Sequence, residues 1–171
     1  MEEKERNGRV TAGRKDLGDL VDKIIFKEQP ILRKFVEESP HYRPVLDRVT
    51  AEVYGNYRSP IYWGRVIDKW DRITSAVGLA SEVYPITLGT ISAAEEVLEM
   101  APKILYGAYY AYKTHDLKAL PYWALNELIS FVPIIGDIAD MRNIYVGRAQ
   151  KRFALAVKKK FDAEISRLRS N

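Results

Sequence analysis

The chain is predicted to be all-α: a helical bundle of about six or seven helices that ends in a long basic amphipathic helix. Three observations carry this. Apolar residues recur at i, i+3, i+4 and i+7 along most of the chain. No run alternates apolar and polar residues between hairpin-turn signals, and no internal repeat is visible. Proline falls where apolar runs begin or end, at Pro30, Pro40, Pro44 and Pro60. At 171 residues the chain fits one domain with a proper core. Residues 1–15 lack a periodic apolar pattern and read as a disordered arm. Residues 16–171 then form a single helical domain, with amphipathic helices over 16–72, apolar helices over 73–139 and a basic helix over 140–171.

The first helix is marked by Leu17, Leu20, Val21, Ile24 and Ile25, with Asp16 placed to cap its first turn and Asp19 adding negative charge there. Pro30 interrupts or kinks it; Ile31, Leu32, Phe35 and Val36 continue an apolar face until Ser39-Pro40 stops the run. Val45, Leu46, Val49, Val53 and Tyr57 mark a second helix opened by Pro44. Ser59-Pro60 reads as a cap followed by a first-turn proline, opening a third helix through Trp63, Val66, Ile67, Trp70 and Ile73.

From Ile73 the character changes. Residues 73–94 carry Glu82 as their only charge and would reach about 33 Å as a helix at ~1.5 Å per residue, just enough for a bilayer. Six Ser and Thr residues and Pro85 hold the hydropathy of this stretch below that of a transmembrane helix. Residues 97–112 and 119–139 are similar, and Tyr106, Tyr109, Tyr110, Tyr112, Tyr122 and Trp123 flank the polar link at 113–118. Amphipathic rings beside apolar segments resemble an interfacial belt, and they serve equally well in a core whose hydroxyls are satisfied. Ser81, Pro85, Gly89 and Ala93 fall at four-residue spacing, a strip where another backbone could approach closely in either setting.

The sharpest local feature is Phe131 to Asp140, an apolar run stopped by Pro133 and Gly136 and answered by Asp137 and Asp140. Its plain reading is a corner between helices: the proline and glycine end the incoming helix, Asp137 caps the outgoing one, and Asp140 sits near its positive end. The alternative is a membrane-buried turn whose carboxylates face a polar cavity or a basic partner. Asn126 to Arg148 resembles the second half of a small, mostly bacterial family of uncharacterised domains with apolar hairpins and a P-x-x-G-D core. Asn126, Pro133, Gly136, Asp137, Asp140 and Arg142 match that pattern position by position. The first P-x-x-G-D copy of the family has no counterpart here, since Pro85 is not followed by Gly-Asp. The resemblance implies a membrane-associated helical protein with no assigned activity.

Charge is distributed unevenly: residues 1–60 carry +1, residues 61–140 carry −4 and residues 141–171 carry +7, within a net +4. The last helix presents Met141, Tyr145, Ala149, Phe153, Val157, Phe161, Ile165 and Leu168 as an apolar stripe. Arg142, Arg148, Lys151, Arg152, Lys158, Lys159 and Lys160 load much of its remaining surface. These seven residues are the candidate contacts for an anionic partner, either phospholipid head groups or nucleic-acid phosphates. Absence of cysteine excludes disulfides, thiolate metal sites and a cysteine nucleophile. His41 and His115 sit in no metal-binding or triad spacing, and Glu95 with Glu99 lacks the Glu-x-x-His partners a di-iron bundle needs, so no catalytic residue, metal or cofactor is assigned. Five Asn and two Gln against 29% charged residues resemble thermophile usage. The expected function is that of a non-enzymatic, membrane-associated helical protein on the cytoplasmic side, with residues 73–139 embedded or inserted and the basic helix on the anionic face. The alternative is a cytoplasmic helical bundle that binds nucleic acid or a protein partner through that helix.

Overall fold

The computed structural model describes residues 18–83, 91–130 and 144–170, with side chains given for 18–76, 100–125 and 144–170. It is all-α, as the sequence predicts, with six helices and no strand among the described residues. They are α1 (residues 18–28), α2 (Pro30–Glu38), α3 (Arg43–Val83), α4 (Ile91–Thr114), α5 (Ala119–Ser130) and α6 (Ile144–Ser170). The chain divides into two compact units, residues 1–57 with 150–171, and residues 58–149.

In the first unit, α1 is wound as a π-helix over Val21–Ile25 and buries Val21, Ile24 and Ile25. It stops at Glu28 because Gln29, held extended ahead of Pro30 with φ −132° and ψ 71°, cannot continue the helix. Ser39 takes the same conformation ahead of Pro40 and ends α2. The apolar faces of these helices, the start of α3 and the body of α6 form one core around Leu32, Val36, Leu46, Val49, Phe153, Val157 and Phe161. Phe35 meets Phe161 edge-on at 6.0 Å, and Tyr54 and Tyr57 lie against Phe153 at 5.7 and 5.8 Å. Arg48 with Glu164 and Lys160 with Glu52 tie the polar margins of α3 and α6.

One predicted boundary is absent. Ser59-Pro60 does not open a new helix; Pro60 lies inside the 41-residue α3. The apolar register explains why. Leu46, Val49, Thr50, Pro60, Ile61, Gly64, Ile67, Asp68, Asp71 and Ser75 are all buried at helical spacing. The stripe therefore passes through the proline without a change of phase, and packing outweighs the one backbone bond proline removes.

The second unit is centred on an aromatic cluster. Tyr106 and Tyr110 of α4, Trp123 of α5 and Tyr145 of α6 meet one another at ring separations of 4.9 to 6.0 Å. The link between α4 and α5 is the predicted polar one, turned by His115 at φ 54°. Asp116, buried in that link, holds the Arg148 guanidinium at 3.1 Å from Nε. Gly64 is required for the close approach of α3: a Cβ there would stand 2.8 Å from the Tyr106 hydroxyl and 3.0 Å from the Val146 backbone.

Candidate functional site: an apolar groove beside a cationic strip

Within the second unit, residues 58–76 of α3 sort their side chains into three arcs. At about 100° per residue, Pro60, Ile61, Gly64, Ile67, Asp68, Asp71 and Ser75 occupy a buried arc of about 120°. Next to it lie four exposed cations, Arg58, Arg65, Lys69 and Arg72. Beyond them comes an exposed apolar arc of Tyr62, Trp63, Val66, Trp70 and Ile73, each between 38% and 60% exposed. The only acids in this stretch are Asp68 and Asp71, and both are on the buried arc.

Those two carboxylates are used internally. Asp68 accepts hydrogen bonds from the backbone N–H groups of Tyr145 at 3.1 Å and Val146 at 2.7 Å. The first N–H groups of a helix have no partner within it, and α6 begins at Ile144, so Asp68 caps α6 from another helix. Burial pushes its carboxyl up to about 6, with the Val146 and Tyr145 N–H groups and the Arg72 charge pulling the other way. Asp71 pairs with Lys103 of α4 at 3.2 Å, their side chains 0% and 3% exposed. Tyr106 donates to the Pro60 carbonyl at 3.0 Å, and burial pushes its hydroxyl pKa up, which keeps it neutral and donating.

The apolar arc of α3 forms one wall of a groove of about 790 Å³. Pro102, Leu105 and Tyr109 of α4 form the other wall, with Ile67 and Tyr106 also in the lining. Lys69 is the one charged residue among those lining it, and it makes no ion pair among the described residues. Further apolar side chains are exposed on the same unit at Ile104, Tyr112, Leu117, Leu120, Tyr122 and Leu125. Of the fifteen large apolar residues exposed among the described ones, twelve belong to this unit.

The residues singled out in the sequence are placed as follows. Pro133, Gly136, Asp137, Asp140 and Arg142 lie outside the described residues, as does the Asp16 cap; the side chains of Ser81, Glu82, Glu95, Glu99, Asn126 and Glu127 do so too. Arg148 is turned inward to Asp116 and stacks over Tyr122 at 5.5 Å. Lys158 pairs with Asp162, and Lys160 with Glu52, whose carboxyl the lysine holds below its usual range. Arg152 is half-buried, while Lys151 and Lys159 are exposed and without an ion pair among the described residues. Arg148 belongs to one unit and the other five placed cations to the other.

Missing from the sequence reading was the α3 cationic strip. Its signal was there, in the spacing of seven, four and three from Arg58 to Arg65, Lys69 and Arg72. Summing charge over residues 61–140 hid it, because Asp68 and Asp71 offset the cations in the count although both acids lie on the buried arc and the cations on an exposed one. Among the described residues no group of three or more His, Asp or Glu could hold a metal ion, and no helix is long and apolar enough to cross a membrane. Comparison with known protein families, with curated proteins and with solved structures found no match.

Proposed function

We propose that this chain is a non-enzymatic, membrane-associated helical protein that lies on an anionic lipid surface, on its cytoplasmic side, through the 58–149 unit. The observation that carries the reading is the juxtaposition on α3 of four exposed cations with an exposed strip containing Tyr62, Trp63 and Trp70. Rings that are apolar in body and polar at the tip favour the head-group level, and cations beside them meet lipid phosphates. Each basic residue near such a surface contributes about 1 kcal/mol. Four cations and an inserted aromatic strip thus exceed the single weak signal that gives only marginal attachment. The mode is insertion of the exposed aromatic strip into the interface. The resemblance of residues 126–148 to a family of membrane-associated domains points the same way.

Co-sedimentation of the full chain with vesicles tests this. Binding to anionic vesicles, weaker on zwitterionic ones and reduced by salt, is the expected result. Salt-sensitive binding to duplex or single-stranded nucleic acid with none to vesicles at matched ionic strength overturns the reading in favour of a nucleic-acid partner for the basic helix. Indifference to both overturns it as well and leaves the charge as a solvated helix face.

A further inference from the structure

The structure assigns the groove between α3 and α4 to the hydrocarbon chain of a single anionic lipid whose head group sits at Lys69. This deepens the membrane reading and rests on it. The groove volume, about 790 Å³, is in the range of small-molecule sites, roughly 300–1,000 Å³. Trp63 to Ile73 run along it for about 15 Å at ~1.5 Å per residue, so its shape is that of an elongated apolar slot. The opposing wall is apolar as well, and Leu105 in it is 70% exposed, a side chain left in water where a hydrocarbon would cover it.

Charge complementarity selects the occupant. Lys69 is the one charged lining residue, and Arg65 and Arg72 stand on the same strip four residues before and three after it. The only acids of the stretch are turned inward, to the α6 N-terminus and to Lys103. An apolar peptide would leave the Lys69 ammonium, which has no ion pair among the described residues, without an anion at the edge of the groove. A carboxylate or phosphate at the end of a hydrocarbon chain satisfies the cationic edge and the apolar slot together. The α3 and α4 walls are held together by the Tyr106 hydroxyl on the Pro60 carbonyl and by the buried Asp71–Lys103 pair, so the groove does not depend on the ligand to form.

The experiment uses the full chain with monomeric saturated fatty acids in the absence of any bilayer, read by quenching of tryptophan fluorescence with a bromine-labelled fatty acid. Trp63 and Trp70 line the groove, whereas Trp123 is buried in the aromatic cluster. Saturable one-to-one quenching is expected, competed by unlabelled fatty acid, with affinity rising about fourfold per added methylene until the chain outgrows the slot. The matching neutral alcohol should bind at least fivefold more weakly, and Lys69→Gln should remove that difference by weakening the acid about fivefold, the effect of one basic contact. Leu105→Asp should abolish quenching while leaving the helical circular-dichroism spectrum unchanged. Quenching that is non-saturable, or equal for acid and alcohol, overturns the assignment even where vesicles bind. Saturable quenching without vesicle binding keeps the groove as a lipid site and removes the membrane surface as its setting.

Discussion

Asp68 shows how one side chain can carry both capping and burial. Its carboxylate satisfies two N–H groups at the start of α6, yet it is wholly buried, and burial outweighs those bonds in setting its protonation. The sign of the consequence follows from linkage. With the folded value raised from 3.8 to about 6, the folded state holds a proton that the unfolded chain has released between those values. Stability from this group is therefore full below pH 3.8 and is lost as pH rises towards 6. Denaturant unfolding across this interval should show that decline, of the order of a few kcal/mol at most, and Asp68→Asn should flatten it. Asp68→Ala, which leaves two buried N–H groups without an acceptor, should cost about 1–3 kcal/mol at every pH tested. None of this could be read from the sequence, where Asp68 is one more acid on an amphipathic helix. Its partner is backbone 77 positions away, and no residue type announces a backbone N–H.

At the level of elements, periodicity was the dependable guide and punctuation the fallible one. The breaks at Pro30 and Pro40 were legible because the residue ahead of each proline is pushed out of the helical region, Gln29 to φ −132° and Ser39 to φ −135°. At Pro60 the two signals disagree, and phase prevails, since burying a stripe on both sides of the proline contributes more than one hydrogen bond. The glycines of α3 show the same dependence on context. Glycine to alanine in a helix normally stabilises by about 0.5–1 kcal/mol, and Gly55, with nothing within 4 Å of its would-be Cβ, should follow that rule. Gly64 should reverse it. A methyl there meets the backbone of Val146 at 3.0 Å, which cannot turn aside as a side chain can, so Gly64→Ala should lower stability by about 1–3 kcal/mol. Thermal melts of the two variants side by side check this: a Gly64→Ala protein as stable as Gly55→Ala would mean that α3 and the start of α6 do not approach so closely.

For the whole molecule, the question is which of its two cationic surfaces meets an anionic partner. By sequence alone the +7 of residues 141–171 points to α6, because charge counted along the chain takes no account of which way side chains face. Folding redistributes it. On α6, Arg148, Lys158 and Lys160 spend their charge on Asp116, Asp162 and Glu52. The acids of residues 58–76 withdraw into the interior and leave Arg58, Arg65, Lys69 and Arg72 exposed together. A cation already paired has less to gain from a phosphate, since it must exchange one oxygen for another. Binding to anionic vesicles should therefore fall by about 1 kcal/mol, roughly fivefold, for each of Arg65, Lys69 and Arg72 replaced singly by Gln. Replacing Lys158 and Lys160 should change it by less than twofold, and Lys151 and Lys159 should fall between, as exposed cations with no aromatic strip beside them on α6. Vesicle titrations at low salt with circular dichroism on each variant measure this directly. Loss confined to the α6 variants would return the contact surface to the C-terminal helix, where charge counted along the chain first places it.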